Sequence, residues 1–518
     1  MTDNPDVVKS ELSTHGVFLT THNVLKMLFS YGVPFIISGI CQVFIDYISA
    51  YFQISLFGMS FIIAYASTIP MLNIFTMVMP MAITTYFQIK TGWLLSQHKT
   101  ELAAEQYEYY TRSALILAII FTVGFASWST FQINTFKIGA QFQTNYIVQL
   151  VFGFFVNTWN FSQSGRYNME SRRLLVFARG LITTIIFAAI ESFCYNFFFG
   201  KFGEESKLES NWPTTLAYCL TQLICTTWNI LLSAGYTALG VTTKEVFKNS
   251  LKELYSPKKF FSKESLKSVG QYTIYGLVMS ILNMALPLAV LLCVQSIQTT
   301  FISETDIFNG ITDIFIFYYF GSVFRVIPYS INQAFVQASI VCMKLNRWAR
   351  IREMILKGFI IALVFNGIIA LLFVFLPIID VFIGTNKEFQ AYKINGRMQE
   401  AILYSAIVGA GQILTELALS LSVIQNHFIV SVLIAIGKII QAILSSYNLK
   451  KNNGDKADYL LVLLFTECNS IGTSLIFLIM YFIKFKFFCK EEGGNKKKSK
   501  SKGSTQKKKN ADEILANE

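Results

Sequence analysis

Residues 27–51 read MLFSYGVPFIISGICQVFIDYISAY, an apolar run in which Asp46 is the only charged side chain. The run is longer than the roughly 20 residues that an α-helix needs to cross the hydrocarbon layer of a bilayer. Pro34 lies in its first half, where a proline removes one backbone hydrogen bond and lets the helix bend. The run therefore predicts a membrane-spanning helix with a proline hinge and an acid inside the bilayer.

Eleven further apolar runs follow along the chain. They lie at about 60–84, 113–133, 145–165, 176–200, 214–236, 271–301, 310–338, 356–382, 400–423, 428–447 and 459–485. None shows the alternating pattern of a membrane β-barrel. The composition is 53% hydrophobic and 14% charged, whereas soluble domains carry about 25% charged residues. We therefore predict an all-α polytopic membrane protein with twelve transmembrane helices.

The runs form two groups of six around a basic, polar segment. The predicted parts are a polar N-terminus at 1–24, a first lobe at 25–237, a connector at 238–270, a second lobe at 271–485 and a Lys-rich disordered tail at 486–518. Lys and Arg concentrate in the connections after spans 2, 4, 6 and 8, and such connections stay cytoplasmic. Both termini are therefore expected in the cytoplasm, with the protein in the plasma membrane or an internal vesicle membrane.

Prolines recur at matching places in the two groups. Pro34 and Pro287 lie in the first span of each group, while Pro80 and Pro328 lie near the end of the second. Duplicated transporters show such pairs, because a broken helix leaves a hinge near the central cavity. We predict two pseudo-symmetric six-helix lobes, related by a two-fold axis along the membrane normal, with Pro34 and Pro287 as hinges.

Several short motifs in these spans resemble the multidrug and toxic compound extrusion (MATE) family, in a divergent eukaryotic form, across roughly residues 25–485. The matching residues are Phe44-Ile45-Asp46-Tyr47 with Gly58, Gln88 with Gly92, Leu286-Pro287 with Cys293 and Gln295, Ile327-Pro328, and the stretch from Asn346 to Arg350. The resemblance implies a secondary antiporter of small organic compounds, with Asp46 on the family motif as an ion-coupling residue.

Two positions depart from the family pattern. The eukaryotic branch has a Glu tied to cation coupling in span 7, where this chain has Gln295, which cannot ionise. Gln295 and Gln298 are accordingly expected to line the substrate cavity. Span 5 often shows an Asn and an Asp in the family. The nearest match here is Ser192 with Asn196, and Glu191 lies beside them. We expect Asn196 to line the substrate cavity.

The residues themselves give the same candidates, because an ionisable side chain inside an apolar span survives where it faces a cavity or a partner. Apolar surroundings favour the neutral form of a carboxyl, so that such a group can load and release a proton. We expect Asp46 and Glu191 to couple ions, and Glu416 and Glu467 to replace jointly the missing span 7 acid. Two other groups are given structural roles: Asp313 reaching interfacial water, and Arg325 pairing with an acid on another span.

The sequence thus predicts a secondary antiporter that exports cationic, amphiphilic organic compounds in exchange for protons or sodium. The chain has no Gly-rich phosphate loop ending in Gly-Lys-Ser/Thr, so an ion gradient is expected to drive transport, with no cofactor. The four His are scattered, which argues against an enzyme or a metal site. Membrane lipids are expected partners, nucleic acids are not, and a monomer is expected.

Two alternatives remain open. A lipid or polysaccharide flippase would be expected to line its cavity with several cations for phosphate groups, whereas acids outnumber bases inside these spans. The second alternative is a receptor or a channel that does not transport by alternating access. The proline repeat gives no support to a receptor or to a channel.

Overall fold

The computed structural model describes residues 14–57, 79–136, 173–202, 262–282, 304–376, 397–425, 427–451 and 459–489, with a few single residues or short groups between them. Helices make up these segments, with no strand among them. The helices of the first half are α1 (Thr14–Thr21), α2 (Val24–Phe57), α3 (Met79–Ser96), α4 (Thr100–Phe136) and α5 (Arg173–Phe202). Those that follow are α6 (Lys263–Leu282), α7 (Glu304–Phe315), α8 (Ser322–Lys344), α9 (Trp348–Phe375), α10 (Arg397–Ile424), α11 (Phe428–Lys451) and α12 (Tyr459–Ile483).

Six stretches within the described residues are long and apolar enough to cross a membrane. They are Val24–Ile54, Leu174–Phe197, Asn309–Lys344, Trp348–Phe375, Arg397–Ile424 and Tyr459–Phe487. These stretches correspond to predicted spans 1, 5, 8, 9, 10 and 12, and the all-α polytopic fold is confirmed. Predicted span 4 and most of span 6 lie outside the described residues. Helices α3 and α4 extend past the predicted span ends, because a helix can continue from the bilayer into water.

Helix α2 lies between α5 on one side and α8 on the other, and two glycines set these close crossings. A Cβ on Gly39 would lie 2.3 Å from a methyl carbon of Val326 on α8, and a Cβ on Gly180 of α5 would lie 2.7 Å from Ser38 Oγ. Glycine is therefore required at both crossings. The helix continues through Pro34, so the hinge role of this proline stays a prediction.

The α3–α4 and α8–α9 turns have the same backbone structure. His98 and Asn346 have φ of 60° and 52°, the left-handed conformation that ends many helices. The Lys99 amide donates to the Leu94 carbonyl and the Arg347 amide to the Cys342 carbonyl, at 2.9 and 2.8 Å. Pro80 and Pro328 precede these turns by the same interval of 18 residues. The matching turns mark one end of the bundle, called the turn end below.

A short helix packs at the turn end within the segment predicted as a polar N-terminus. Helix α1 contacts α3 from the first half of the chain and α8 from the second half. The last carbonyls of α1 accept hydrogen bonds from two arginines, one in the turn before α9 and one on α9. Arg347 Nη1 donates to Thr20 at 2.6 Å, and Arg350 Nε donates to Leu19 at 3.0 Å. These bonds satisfy carbonyls that a helix end leaves without partners.

A π turn at Ile316–Phe320 joins α7 to α8, and two of its backbone carbonyls bond to side chains of other helices. The Phe317 carbonyl accepts a hydrogen bond from Ser405 Oγ at 2.8 Å, and the Phe320 carbonyl accepts one from Tyr47 Oη at 2.7 Å. Tyr319 Oη donates to the Asp46 carbonyl. Turns of this kind are frequent at functional sites. Here it connects the second half of the chain to the segment of α2 that carries Asp46.

Candidate functional site

Asp46 on α2 and Glu191 on α5 lie close enough for their carboxylates to repel each other when both are ionised. The side chain of Asp46 is exposed, although many protein atoms lie around it. Glu191 is fully buried, and among the described residues neither of its oxygens has a hydrogen bond of ordinary geometry. Ser49 is its polar neighbour.

The surroundings of this acid pair are buried and partly aromatic. Gln53 Nε2 donates to Ser49 Oγ at 3.3 Å, and the ring of Phe52 stacks on Tyr195 with centroids 4.7 Å apart. Two like charges in such a site are unfavourable, so a bound proton or another cation stabilises the pair. Sequence reasoning selected both acids, and the structure brings them together.

A second group of polar side chains lies on α8. Between Ser322 and Cys342 this helix is buried except at Ser322, Arg325 and Tyr329. Spacings of three and four residues put these side chains on one face. A face exposed to lipid would be apolar, so we interpret this polar stripe as the lining of a cavity between helices.

Glu416 on α10 belongs to the same region, because its charge acts on Tyr329. The carboxylate accepts a hydrogen bond from Asn332 Nδ2 at 3.1 Å, and Asn332 Oδ1 accepts one from Ser420 Oγ at 2.8 Å. Tyr275 of α6 is also within reach of this charge. It stacks on Tyr86 of α3 with ring centroids 4.5 Å apart. Glu416 thus combines a fixed carboxylate with nearby aromatic rings, an arrangement that can hold a flat cation.

Amide side chains fill the contact between α3 and α8. Gln333 Nε2 lies 3.5 Å from Thr85 Oγ1. Gln88 and Gln337 follow roughly one turn later on their helices, and both are fully buried. Their amide groups make no hydrogen bond within the part of the chain that the structure describes. Sequence reasoning used Gln88 only as a family marker, and its burial could not be predicted from the motif.

Glu467 is fully buried on α12, but the helix register separates it from Glu416. Ser474 on α12 donates to Thr415 on α10 at 3.2 Å, so Glu467 lies two turns away from the level of Glu416. The rise of an α-helix converts this offset to about 12 Å along the axis. The structure therefore does not place the two acids in one site, and their joint role stays a prediction.

The structure corrects the expected role of Asp313, whereas the pairing expected for Arg325 stays a prediction. Asp313 does not reach interfacial water, because it is 1% exposed and forms an ion pair with Arg397 at the start of α10. Arg397 Nε donates to both carboxylate oxygens of Asp313, at 3.2 and 3.0 Å. Arg325 has no acid partner among the described residues and packs against Tyr318 instead.

Four other predicted site residues are placed differently or not described. Asn196 is exposed on α5, five residues beyond Glu191. This spacing places the two side chains about 140° apart around the helix axis. Asn196 is therefore not part of the acid pair. Gln295, Gln298 and the hinge Pro287 lie outside the described residues.

Comparison with known proteins gives matches at the level of structure. No family model matches the sequence, and no curated protein matches it. A MOP superfamily transporter from Pyrococcus furiosus, described as having a binding pocket of reverse polarity, superposes with a TM-score of 0.68 at 14% identity. The superposition covers 92% of this chain and 99% of that one.

Two further structures are similar over the same length. One is the outward-facing conformation of a multidrug resistance MATE family transporter of the MOP superfamily, with a TM-score of 0.66 at 12% identity. The other is a MATE transporter in the straight conformation, with a TM-score of 0.65 at 13% identity. Each match covers 91% of this chain and 98% of the other. Over more than nine tenths of its length, this chain therefore has the twelve-helix fold of the MATE transporters of the MOP superfamily.

Proposed function

We propose that this protein is a secondary antiporter that exports organic compounds in exchange for protons or sodium. The observation that carries the proposal is the acid pair Asp46 and Glu191, in which two carboxylates lie near each other inside an apolar helix bundle. A carboxyl in such a place favours binding of a proton or a metal cation. The fold of the chain, shared with the MATE transporters, supports the same class of function.

The ion would act on the packing of α2. With both carboxylates ionised, repulsion pushes α2 away from α5, and binding of a cation removes this repulsion. Helix α2 is also tied to the π turn by hydrogen bonds of Tyr47 and Tyr319. A shift of α2 would therefore move the second half of the chain and change access to the cavity, as alternating access requires.

The cavity side chains support an organic substrate. Glu416 with Tyr86, Tyr275 and Tyr329 offers a carboxylate and aromatic rings to a cationic ring system. Cation–π contacts of this kind contribute about 0.5–2 kcal/mol each. No cofactor takes part in this proposal, because the ion gradient supplies the driving force.

The test uses the full chain reconstituted into liposomes and loaded with a fluorescent rhodamine dye. Imposed pH and sodium gradients are compared with liposomes at equilibrium, and with liposomes that lack the protein. We expect one of the two gradients to drive dye movement against its concentration. Dye movement that follows only its own concentration, whatever the ion gradient, contradicts antiport and favours a channel.

A further inference from the structure

Arg325 is the accessible cation of the polar stripe on α8. Its Nε and Nη2 atoms are buried and make no hydrogen bond to the described residues. Its guanidinium packs over the ring of Tyr318, with 4.7 Å between Cζ and the ring centroid. Five other arginines differ from it in having hydrogen-bond partners on the protein: Arg112, Arg347, Arg350, Arg352 and Arg397.

Tyr318 packs against the guanidinium but gives its N–H groups no hydrogen-bond acceptor. A guanidinium presents five N–H donors in a planar fork, which matches the two oxygens of a carboxylate or phosphate. A charge inside a membrane protein that has no partner on the protein is costly, and such residues mark substrate or ion pathways. The Nε and Nη2 donors of Arg325 therefore lack an acceptor in this conformation, and an oxyanion would supply one when the helices around α8 move apart during transport.

The geometry points to Arg325 as the binding site for an oxyanion, a carboxylate or phosphate group, of the transported compound. Tyr329 lies one turn away on the same stripe, within reach of the Glu416 charge. A cation at Glu416 and an anion at Arg325 would lie about 10 Å apart along α8, because Asn332, which bonds to Glu416, is seven residues from Arg325. The substrate class is then zwitterionic amphiphiles, which narrows the cationic class expected from the sequence. This inference rests on the proposed function for the compound being cargo.

The test measures equilibrium binding of two matched dyes by fluorescence anisotropy. One is a rhodamine with a free carboxylate, and the other is its methyl ester, which lacks only the negative charge. The purified full chain in dodecyl maltoside should bind the acid about tenfold or more tighter than the ester, the range of a hydrogen bond to a charged group. Arg325→Gln should remove this preference while the affinity for the ester is kept.

Two further variants make the result specific. Lys357→Gln removes a positive charge from the surface of α9 and should keep the full preference. Arg325→Lys retains the charge without the planar fork, and should keep a reduced preference for the acid. If Arg325→Gln does not fold, Arg325→Lys still tests the inference. An unchanged preference for the acid in Arg325→Lys would contradict the role of the planar fork.

Several outcomes overturn the inference. Equal affinities of the two dyes for the wild-type protein, no binding of the acid, or an undiminished preference in Arg325→Gln would each do so. Repeating the measurement in phosphatidylcholine nanodiscs separates a lipid phosphate from cargo. A preference that is present in detergent and absent in nanodiscs assigns Arg325 to a lipid head group and excludes cargo. Because these binding measurements need no gradient, a failure of ion-driven transport alone would count against antiport and not against Arg325.

Discussion

Asn332 is the residue that orients Glu416, because it bonds to that carboxylate and to Ser420 at the same time. Asn332 is 1% exposed, so water cannot replace its amide. We expect Asn332→Ala to lower the free energy of unfolding by about 1–3 kcal/mol, the cost of leaving buried polar groups without partners. Chemical denaturation of the purified protein followed by tryptophan fluorescence measures this loss.

The matched control is Asn469→Ala, since Asn469 also donates to a side chain, Gln441, but does so on the exposed surface of α12. Surface substitutions usually change stability by about 0.5 kcal/mol or less. An equal loss in both variants would mean that the Asn332 network adds nothing beyond an ordinary hydrogen bond.

Ionisable candidates could be selected from the sequence, because a charge inside an apolar run is a signal that each residue carries by itself, and their roles stay predictions. Asp46 and Glu191 were found in this way, and the structure brings them together. The environment of Asp313 was predicted wrongly and the acid expected beside Arg325 is not among the described residues, since the partner of a charge depends on which helices touch. Helix contacts are set by features such as Gly39 and Gly180, which no charge pattern encodes.

The π turn between α7 and α8 depends on Gly321. A Cβ at this position would lie 1.8 Å from Ser405 Oγ and 2.0 Å from the Phe317 carbonyl oxygen. We expect Gly321→Ala to lower the free energy of unfolding by about 1–3 kcal/mol or more, because overpacking forces the backbone to shift. Thermal unfolding of detergent-solubilised protein provides the measurement.

Gly367→Ala serves as the control, since a Cβ on Gly367 of α9 would meet no heavy atom within 4 Å. Alanine is favoured over glycine inside a helix by about 1 kcal/mol, so this variant should be neutral or more stable. A Gly321→Ala protein as stable as the Gly367→Ala protein would show that the turn has room for a side chain.

Helix α1 is held at the turn end by arginines from the other half of the chain. Its contacts with α3 and α8 bridge the two halves. We expect Arg347→Gln with Arg350→Gln to release α1, because both charge-assisted hydrogen bonds to its last carbonyls are lost. Hydrogen exchange should then become faster in residues 14–21 than in the wild-type protein.

Lys344→Gln changes the charge of the same region and provides the control, since Lys344 is exposed at the end of α8. Unchanged exchange of α1 in the double arginine variant would indicate that apolar packing alone holds this helix.

Helices that cross the membrane were predictable from the sequence, because length and apolar composition are sufficient to define them. Helix α1 and the π turn were not predicted. Eight residues of mixed polarity do not form a stable helix alone, and α1 depends on Arg347 and Arg350, which lie more than 300 residues later in the chain. The π turn likewise depends on Tyr47 and Ser405, which bond to its carbonyls.

The matching turns at His98 and Asn346 support a repeated unit across the whole chain. Thr85 and Gln333, which meet between α3 and α8, are separated by the same 248 positions as the two turns and the prolines Pro80 and Pro328. Equivalent helices of two halves that are related by a two-fold axis along the membrane normal meet in this way. Superposition of the complete lobes stays a prediction.

Coupling in such a molecule requires that an ion bound within the first half changes the contact between the halves. Helix α2 can transmit this change, because the charge of Asp46 acts on Glu191 of α5 and the Asp46 carbonyl is bonded to the π turn. The central claim is therefore that the acid pair, and not the cavity alone, links ion movement to substrate movement.

Gradient-driven dye export from liposomes by Asp46→Asn tests this claim most directly. Asn keeps the shape of the side chain and removes the titrating carboxyl, so export should fall to the level of protein-free liposomes while dye binding is retained. Glu191→Gln should lower export as well, and Glu353→Gln, at an exposed acid of α9, should export like the wild-type protein. Full gradient-driven export by Asp46→Asn would contradict the account and move coupling to another group.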